Sequence, residues 1–375
     1  MGTADGAVLS TTKIVDHGPD ASRWNLVILA EGFTAAQQDA YHVAAENLVN
    51  KLFATQPFRR MWCAINVHRV DIRSDETGTD DPLVCADGNP GTGASARTYF
   101  DSTFCRQGTS RLIYGDEALA IATATAAVPQ MRATVVIINT TKYGGAGGQA
   151  AWYTLAPAAD EIAVHEMGHA AFRLADEYGD IDATWTGGEP PRPNVTTITA
   201  RATTKWASLI QAATPLPTQE NPGCAAQNPA ASPVPAGTIG LFAGGSRAFC
   251  GIYHAEHICK MRVLGDECCR ICSDAIIARL APHLPKFSGP VNGTQFHGTL
   301  GPKQTRRWFT YNWPACYHVL WSVVPTTPVT PGVGVSWKVQ VERATRERIT
   351  YWISITNETD QAVEVDGRYE IVARV

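Results

Sequence analysis

The residues best placed to do chemistry lie in one stretch, VHEMGHAAFRLADEYGD, Val164 to Asp180. It opens as His-Glu-x-x-His. Residues four apart stand on one helix face, so His165 and His169 can offer neutral ring nitrogens to a single metal ion. Glu166 is rotated by about 100° from His165, which points it at a water beside the metal rather than at the metal. That is the pattern of zinc hydrolysis. The ion lowers the pKa of water towards about 7 and polarises a carbonyl, while the carboxylate takes the proton and passes it to the leaving amine. The local sequence favours a helix: no proline interrupts Glu161 to Leu174, Asp160 and Glu161 suit its start by capping and dipole, and Gly168 allows close packing.

Two imidazoles leave such a site one protein ligand short. One solution places a His or Asp six residues after the second His, beyond a Gly that breaks the helix. Here those positions hold Ala175 and Phe172, and the nearest acid is Asp176. On an unbroken helix Asp176 would lie about 10.5 Å of axial rise beyond His169, too far to share an ion. If Asp176 is the ligand, the helix must end near Leu174 and the chain must turn back. Glu177 and the more distant Glu189 are the alternatives.

The elements that must carry this helix follow from hydropathy. WNLVILAEGF (24–33), CAINVHRVDI (63–72) and ATVVIINT (133–140) read as buried strands, with helical segments beginning at Thr34 and at DEALAIATATAA between them. Thr34 and Gln37 have capping-box spacing. The order β-α-β-α-β implies a mixed sheet flanked by helices. KYGGAGGQAAWYTLA (142–156) reads as an exposed sheet edge, immediately before the helix that Asp160 opens. From Asp180 to about Ala248 the chain is rich in Pro, Thr, Ala and Gly, with a short helical candidate at KWASLIQAA. DECCRICSDAIIARLAPHL has helical spacing with Asp266 as N-cap. After the linker PHLPKFSGPVNG, five aromatic and β-branched runs separated by turns read as a small all-β sandwich.

The 375 residues suffice for two domains, 1–287 and 288–375. With 45% hydrophobic residues, 18% charged residues and a net charge of -4, the composition is globular and gives no reason to expect nucleic acid. No run is long enough for a membrane span. The ten cysteines admit a disulfide framework or a second metal cluster. CKMRVLGDECCRIC lacks paired Cys-x-x-Cys knuckles, which favours disulfides, and Cys85 and Cys105 are placed to close the polar loop after the second strand. Bridged cysteines imply an exported chain, with Met1 an added start and the signal outside the given sequence. The four Asn-x-Ser/Thr triplets, at Asn139, Asn194, Asn292 and Asn357, carry little weight.

HEMGHAAFRLADEYGD resembles the His-Glu-x-Gly-His…Leu-Ala-Asp-Glu-Tyr segment of the IgA-specific metallopeptidase family, zinc endopeptidases of metzincin type. The resemblance extends through NLVILAEGFTAAQQDAY, TKYGGAGGQAA, NVTT…KWASLI and IGLFAGGSRAFCGIYHAEHICKM. It implies an α/β metzincin-like catalytic domain, with Zn2+ on His165, His169 and Asp176 and with Glu166 as base. Met261 matches the methionine turn beneath such zinc sites, a floor that does no chemistry. Tyr143, Gly144, Gly145 and Trp152 fall on the edge segment, where an extended substrate would pair. Tyr178 and Tyr253 are candidate oxyanion donors, and His254 and His257 read as surface residues. The expectation is a secreted, monomeric zinc endopeptidase acting on proteins or peptides. Two rivals remain: a non-catalytic secreted binding protein with a vestigial zinc site, and a thermolysin-like aminopeptidase with a Glu third ligand. Neither the natural substrate nor the role of the β domain is encoded in these motifs.

Overall fold

The computed structural model describes residues 3–224, 231–286, 291–327 and 334–374. The chain divides into two compact units, Met1–Ile14 with Trp24–His283, and Val15–Arg23 with Leu284–Val375. The expected boundary at 287/288 lies outside the described residues.

The first unit is built on a six-stranded sheet of β1 (Gly6–Val15), β2 (Trp24–Glu31), β3 (Ile65–Ser74), β4 (Met131–Ile138), β5 (Gly145–Gly147) and β6 (Ala151–Thr154), in the order β1-β3-β2-β4-β6-β5. β3, β2, β4 and β6 run parallel and β5 is antiparallel to β6, so the sheet is mixed as expected. β2 is central and every residue of it is buried, which is why its sequence is an almost unbroken apolar run. The helices are α1 (Gln38–Ala54), α2 (Phe58–Met61), α3 (Glu117–Ala127), α4 (Ala159–Phe172) and α5 (Arg270–Leu280). α1 follows a 3-10 turn in which the Gln37 side chain accepts the Thr34 amide at 3.0 Å. α1 and α4 pack on each other, and α4 lies against β4, β5 and β6.

At the end of β2 the fully buried Glu31 holds the long loop that follows β3. Its carboxylate accepts from Thr98 Oγ1 (2.6 Å) and from the amides of Phe100 (2.9 Å) and Ser102 (3.0 Å). The Cys85–Cys105 disulfide closes that loop, as its spacing suggested. A second disulfide joins Cys224 and Cys250.

The stretch read as irregular between Asp180 and Ala248 contributes to a small second sheet, in which β10 (Arg247–His254) pairs with β7 (Gly179–Thr184), β8 (Val195–Thr196) and β9 (Phe242–Gly245). These strands are short, and β9 is Phe-Ala-Gly-Gly, so none carries the alternation that marks a strand in sequence. The KWASLIQAA candidate is only a 3-10 turn at Ala207–Leu209. α5 starts later than expected, with Cys269 rather than Asp266 at its N-cap, because the Cys269 sulfur accepts the Cys272 amide.

The second unit has six strands: β11 (Val291–Leu300), β12 (Thr305–Pro314), β13 (Tyr317–Pro325), β14 (Val335–Arg343), β15 (Arg348–Asn357) and β16 (Val363–Arg374). They form two antiparallel sheets, β11-β16-β13 and β12-β15-β14. Leu300, Val323, Val363 and Val365 from one sheet and Ile353 and Ile355 from the other share a core. β11 is not among the five expected runs, and only its first three residues fall in the expected linker; its glycines and mostly exposed side chains hide the period-two pattern. Among the described residues, no helix is long and apolar enough to cross a membrane.

Candidate metal centre

α4 brings His165 and His169 onto one face, with ring centroids 4.8 Å apart. The helix begins after Ala158, which is left-handed (φ 61°), so Asp160 and Glu161 occupy its first turn and neither caps it. Glu161 instead pairs with Lys51 and with the buried Lys260 (2.6 Å), fastening the helix to the segment before α5.

α4 stops at Phe172. Arg173 is left-handed (φ 57°), and the Leu174 amide donates back to the Gly168 carbonyl at 2.9 Å. The turn expected near Leu174 is therefore present. The helix breaks one residue later than at the Phe172 position of the spacing considered above, and the acid is shifted by the same one residue, from 175 to 176. The returning chain is held on both sides. Asn194 donates to the Ala175 carbonyl and accepts its amide, both at 2.8 Å, and the Glu177 amide donates to the Met261 carbonyl at 2.8 Å. Asn194 is fully buried by this clamp, so its glycosylation triplet is not available in the fold.

Asp176 Oδ1 consequently lies 3.1 Å from His165 Nε2 and 3.2 Å from His169 Nε2, and the two nitrogens are 3.1 Å apart. The tautomers follow from the other ring nitrogens. His165 Nδ1 faces the Lys260 carbonyl (3.1 Å) and His169 Nδ1 the Leu174 carbonyl (2.8 Å); a carbonyl only accepts, so each Nδ1 carries a proton, and in the neutral imidazole each Nε2 lone pair faces the centre. Neither alternative carboxylate is there. Glu177 turns towards Cys272 (3.1 Å), and Glu189 pairs with Lys205 (2.9 Å).

In the metal-free molecule burial opposes charge on His169, but the hydrogen bond and charge of Asp176 outweigh it and raise the imidazole to about 9. Burial likewise disfavours the Asp176 anion, yet the two imidazoles hold its carboxyl well below the usual range. Burial raises the Glu166 carboxyl, with His165 and His169 partly offsetting this.

Gly147 on β5 lies against Glu166: a Cβ there would be 2.5 Å from Glu166 Oε2 and 3.1 Å from the His169 side chain. Met261 Sδ fills the space beneath Gly168, where a Cβ would meet it at 2.6 Å. Tyr178 lines the cleft over Glu166 and stacks on His165 at 6.4 Å between centroids.

The other expected residues divide. Tyr143 is half exposed and Gly145 lines the cleft, but the Gly145 amide already donates to the Arg111 carbonyl (3.3 Å), so that position is not open to a substrate strand. Gly144 is packed under Phe104 and Arg111. Trp152 is 1% exposed with its ring against Phe100, so it has no face for substrate; β6 is an interior strand and β5 is the edge. Tyr253 directs its hydroxyl to Glu220 (3.2 Å) rather than to the imidazoles. His254 is buried, contrary to the surface reading, with Nδ1 on the Gly244 carbonyl (2.7 Å); burial lowers it to about 4.

A family described as IgA Peptidase M64 matches residues 12–223, more than half of the chain. The chain belongs to the IgA Peptidase M64 family. No curated protein matches it. The matched residues of this M64 chain include β2 to β4, the whole of α4 and the turn to Asp176, whereas Met261 and the strands β11 to β16 lie beyond them. Membership makes the chain a peptidase of a metallopeptidase family, with peptide or protein as substrate. Motif reasoning missed Arg111, Asp180 and Arg247 in this M64 cleft. Asp180 accepts two bonds from Arg247 (2.9 and 3.0 Å), and Arg111 reaches the same carboxylate (3.3 Å). Nothing in their local sequence distinguishes them, since all three sit in segments brought together only by the fold.

Proposed function

We propose that this chain is a secreted zinc endopeptidase of metzincin type, with the metal on His165, His169 and Asp176 and with Glu166 as general base. One observation carries the reading: three donor atoms from α4 and the turn after it lie 3.1 to 3.2 Å apart. Ligands about 2.0 to 2.1 Å from one zinc ion subtend edges of roughly 3.3 Å, so the donor set fits the ion. When bound there, zinc supplies Lewis acidity towards a scissile carbonyl and towards an attacking water.

The chain's own residues supply the rest. Glu166, raised by burial, takes the water proton at its carboxylate and delivers it to the leaving amine nitrogen. Tyr178, whose phenol is raised by burial and by the charges of Asp176 and Asp180, stays protonated and can donate to the oxygen that develops charge. The exposed Gly147 lets an extended peptide pass beside Glu166, and Met261 acts as floor to the imidazoles. Disulfides such as Cys85–Cys105 and Cys224–Cys250 suit an oxidising compartment. We assign the peptidase chemistry to the first unit and an accessory role to the β unit, acting as a monomer.

The test uses a peptide blocked as N-acetyl and C-amide beside one with a free amine. Cleavage of the blocked peptide, lost on chelation and restored by zinc, is expected. Cleavage of the free-amine peptide alone would favour an aminopeptidase, and a zinc-loaded chain that cleaves neither would favour a binding protein.

A further inference from the structure

The residue after Asp176 belongs to a second cluster. Glu177, Cys259, Cys269 and Cys272 are all buried, and their donor atoms all lie within 4.8 Å of one another. Cys259 and Cys272 sulfurs are 3.7 Å apart, and Glu177 Oε1 is 3.7 Å from the Cys269 sulfur and 3.1 Å from that of Cys272. None of these three cysteines is in a disulfide, although Cys85–Cys105 and Cys224–Cys250 are. The disulfide reading fails here because the fourth member is a carboxylate 82 residues before Cys259, which counting cysteines cannot find.

The spacing is that of four ligands around one ion. A disulfide holds two sulfurs at about 2.05 Å. A tetrahedral zinc, with Zn–S near 2.3 Å and Zn–O near 2.1 Å, holds sulfurs about 3.8 Å apart and sulfur–oxygen pairs about 3.6 Å apart. The backbone is arranged for thiolates as well: the Cys269 amide donates to the Cys259 sulfur (3.3 Å) and the Cys272 amide to the Cys269 sulfur (3.5 Å). Glu177 is fully buried, and its Oε2 has no hydrogen-bond partner, a costly arrangement for a carboxylate unless another group satisfies it.

We propose that Glu177, Cys259, Cys269 and Cys272 bind a second zinc ion in a closed, structural four-ligand site. Three sulfurs and one carboxylate oxygen select zinc over the hard cations calcium and magnesium. Such an ion would tie three segments together: the turn carrying Asp176, the Cys259–Met261 segment whose Lys260 carbonyl orients His165, and the first turn of α5. The site has no vacant position and takes no part in hydrolysis.

The experiment measures zinc content of the full chain, purified without chelator, for wild type and for the His165→Ala/His169→Ala variant. Wild type should hold two zinc ions and the variant one, with X-ray absorption of the variant showing about three sulfur neighbours near 2.3 Å. Adding Cys272→Ser to that variant should remove the remaining ion; if that chain does not fold, sulfur scattering decides alone. A zinc-free His variant, zinc without sulfur neighbours, or a disulfide among Cys259, Cys269 and Cys272 in an alkylated, unreduced digest would overturn the proposal. Two zinc ions in a chain without peptidase activity would support it while counting against the function proposed above.

Discussion

Replacing Gly147 by alanine tests whether β5 and Glu166 are fitted to each other. The added Cβ would stand 2.5 Å from Glu166 Oε2 and 3.1 Å from the His169 Cβ and Cδ2 atoms, against an ordinary contact of 3.4 Å. Either the carboxylate or the edge strand must give by about 0.9 Å. Glu166 shares this space with the His169 side chain, so a shift of the carboxylate moves it off the water it must deprotonate. A misplacement of about 1 Å in a catalytic group costs on the order of 100-fold in rate. We expect Gly147→Ala to lose about that factor in kcat/KM on a blocked peptide, with zinc content unchanged, because neither imidazole's Nε2 is touched. Gly188→Ala, where an added Cβ meets nothing within 4 Å, is the control. A Gly147→Ala enzyme as active as wild type would show that Glu166 does not act from the position described here.

Three further outcomes follow from the same geometry. Asp176→Ala should weaken zinc binding by at least about 100-fold in a competition titration, since it removes one of three converging donors; an unchanged affinity would return the ligand question to a more distant glutamate. In the metal-free chain His169 is raised to about 9, so it contributes stability fully below about 6.5 that is lost as pH rises through 9. The metal-free melting temperature should therefore fall between pH 6.5 and 9, and zinc uptake at pH 7.5 should release about one proton from this group, seen as a buffer-dependent binding enthalpy. Arg173→Gly should stabilise the fold by roughly 0.5–1 kcal/mol in chemical denaturation, because the helix terminates in a left-handed residue (φ 57°) that glycine adopts without strain. A loss of stability would mean that the Arg173 side chain contributes more than the strain costs.

Much of the site was legible because its chemistry is local. His165, Glu166 and His169 are spaced by one helical turn, and counting axial rise showed that Asp176 could join them only if the chain turned back. The central strand was equally plain, since β2 is buried over its whole length and contains nothing that disguises it. What escaped was set by tertiary partners. Trp152 was assigned to the edge because it adjoins the glycines, whereas β5 takes the edge and leaves β6 interior. β11 and β9 contain glycines and lack alternation, and only their partners make them strands. The lack of paired Cys-x-x-Cys knuckles pointed to bridges in CKMRVLGDECCRIC, whereas the partner that joins Cys259, Cys269 and Cys272 is Glu177, from the turn beside the first site. Arg111 and Arg247 meet across Asp180 from segments 136 residues apart, a juxtaposition that no spacing rule contains.

The central claim is that Glu166 acts on a water at a centre formed by His165, His169 and Asp176. The most direct measurement is cleavage of a denatured protein mixture by wild type and by Glu166→Ala at equal, measured zinc content. Wild type should cut internal bonds, and the variant should retain its zinc while losing a factor of about 100 to 10,000 in rate. Equal cleavage by the two would contradict the account.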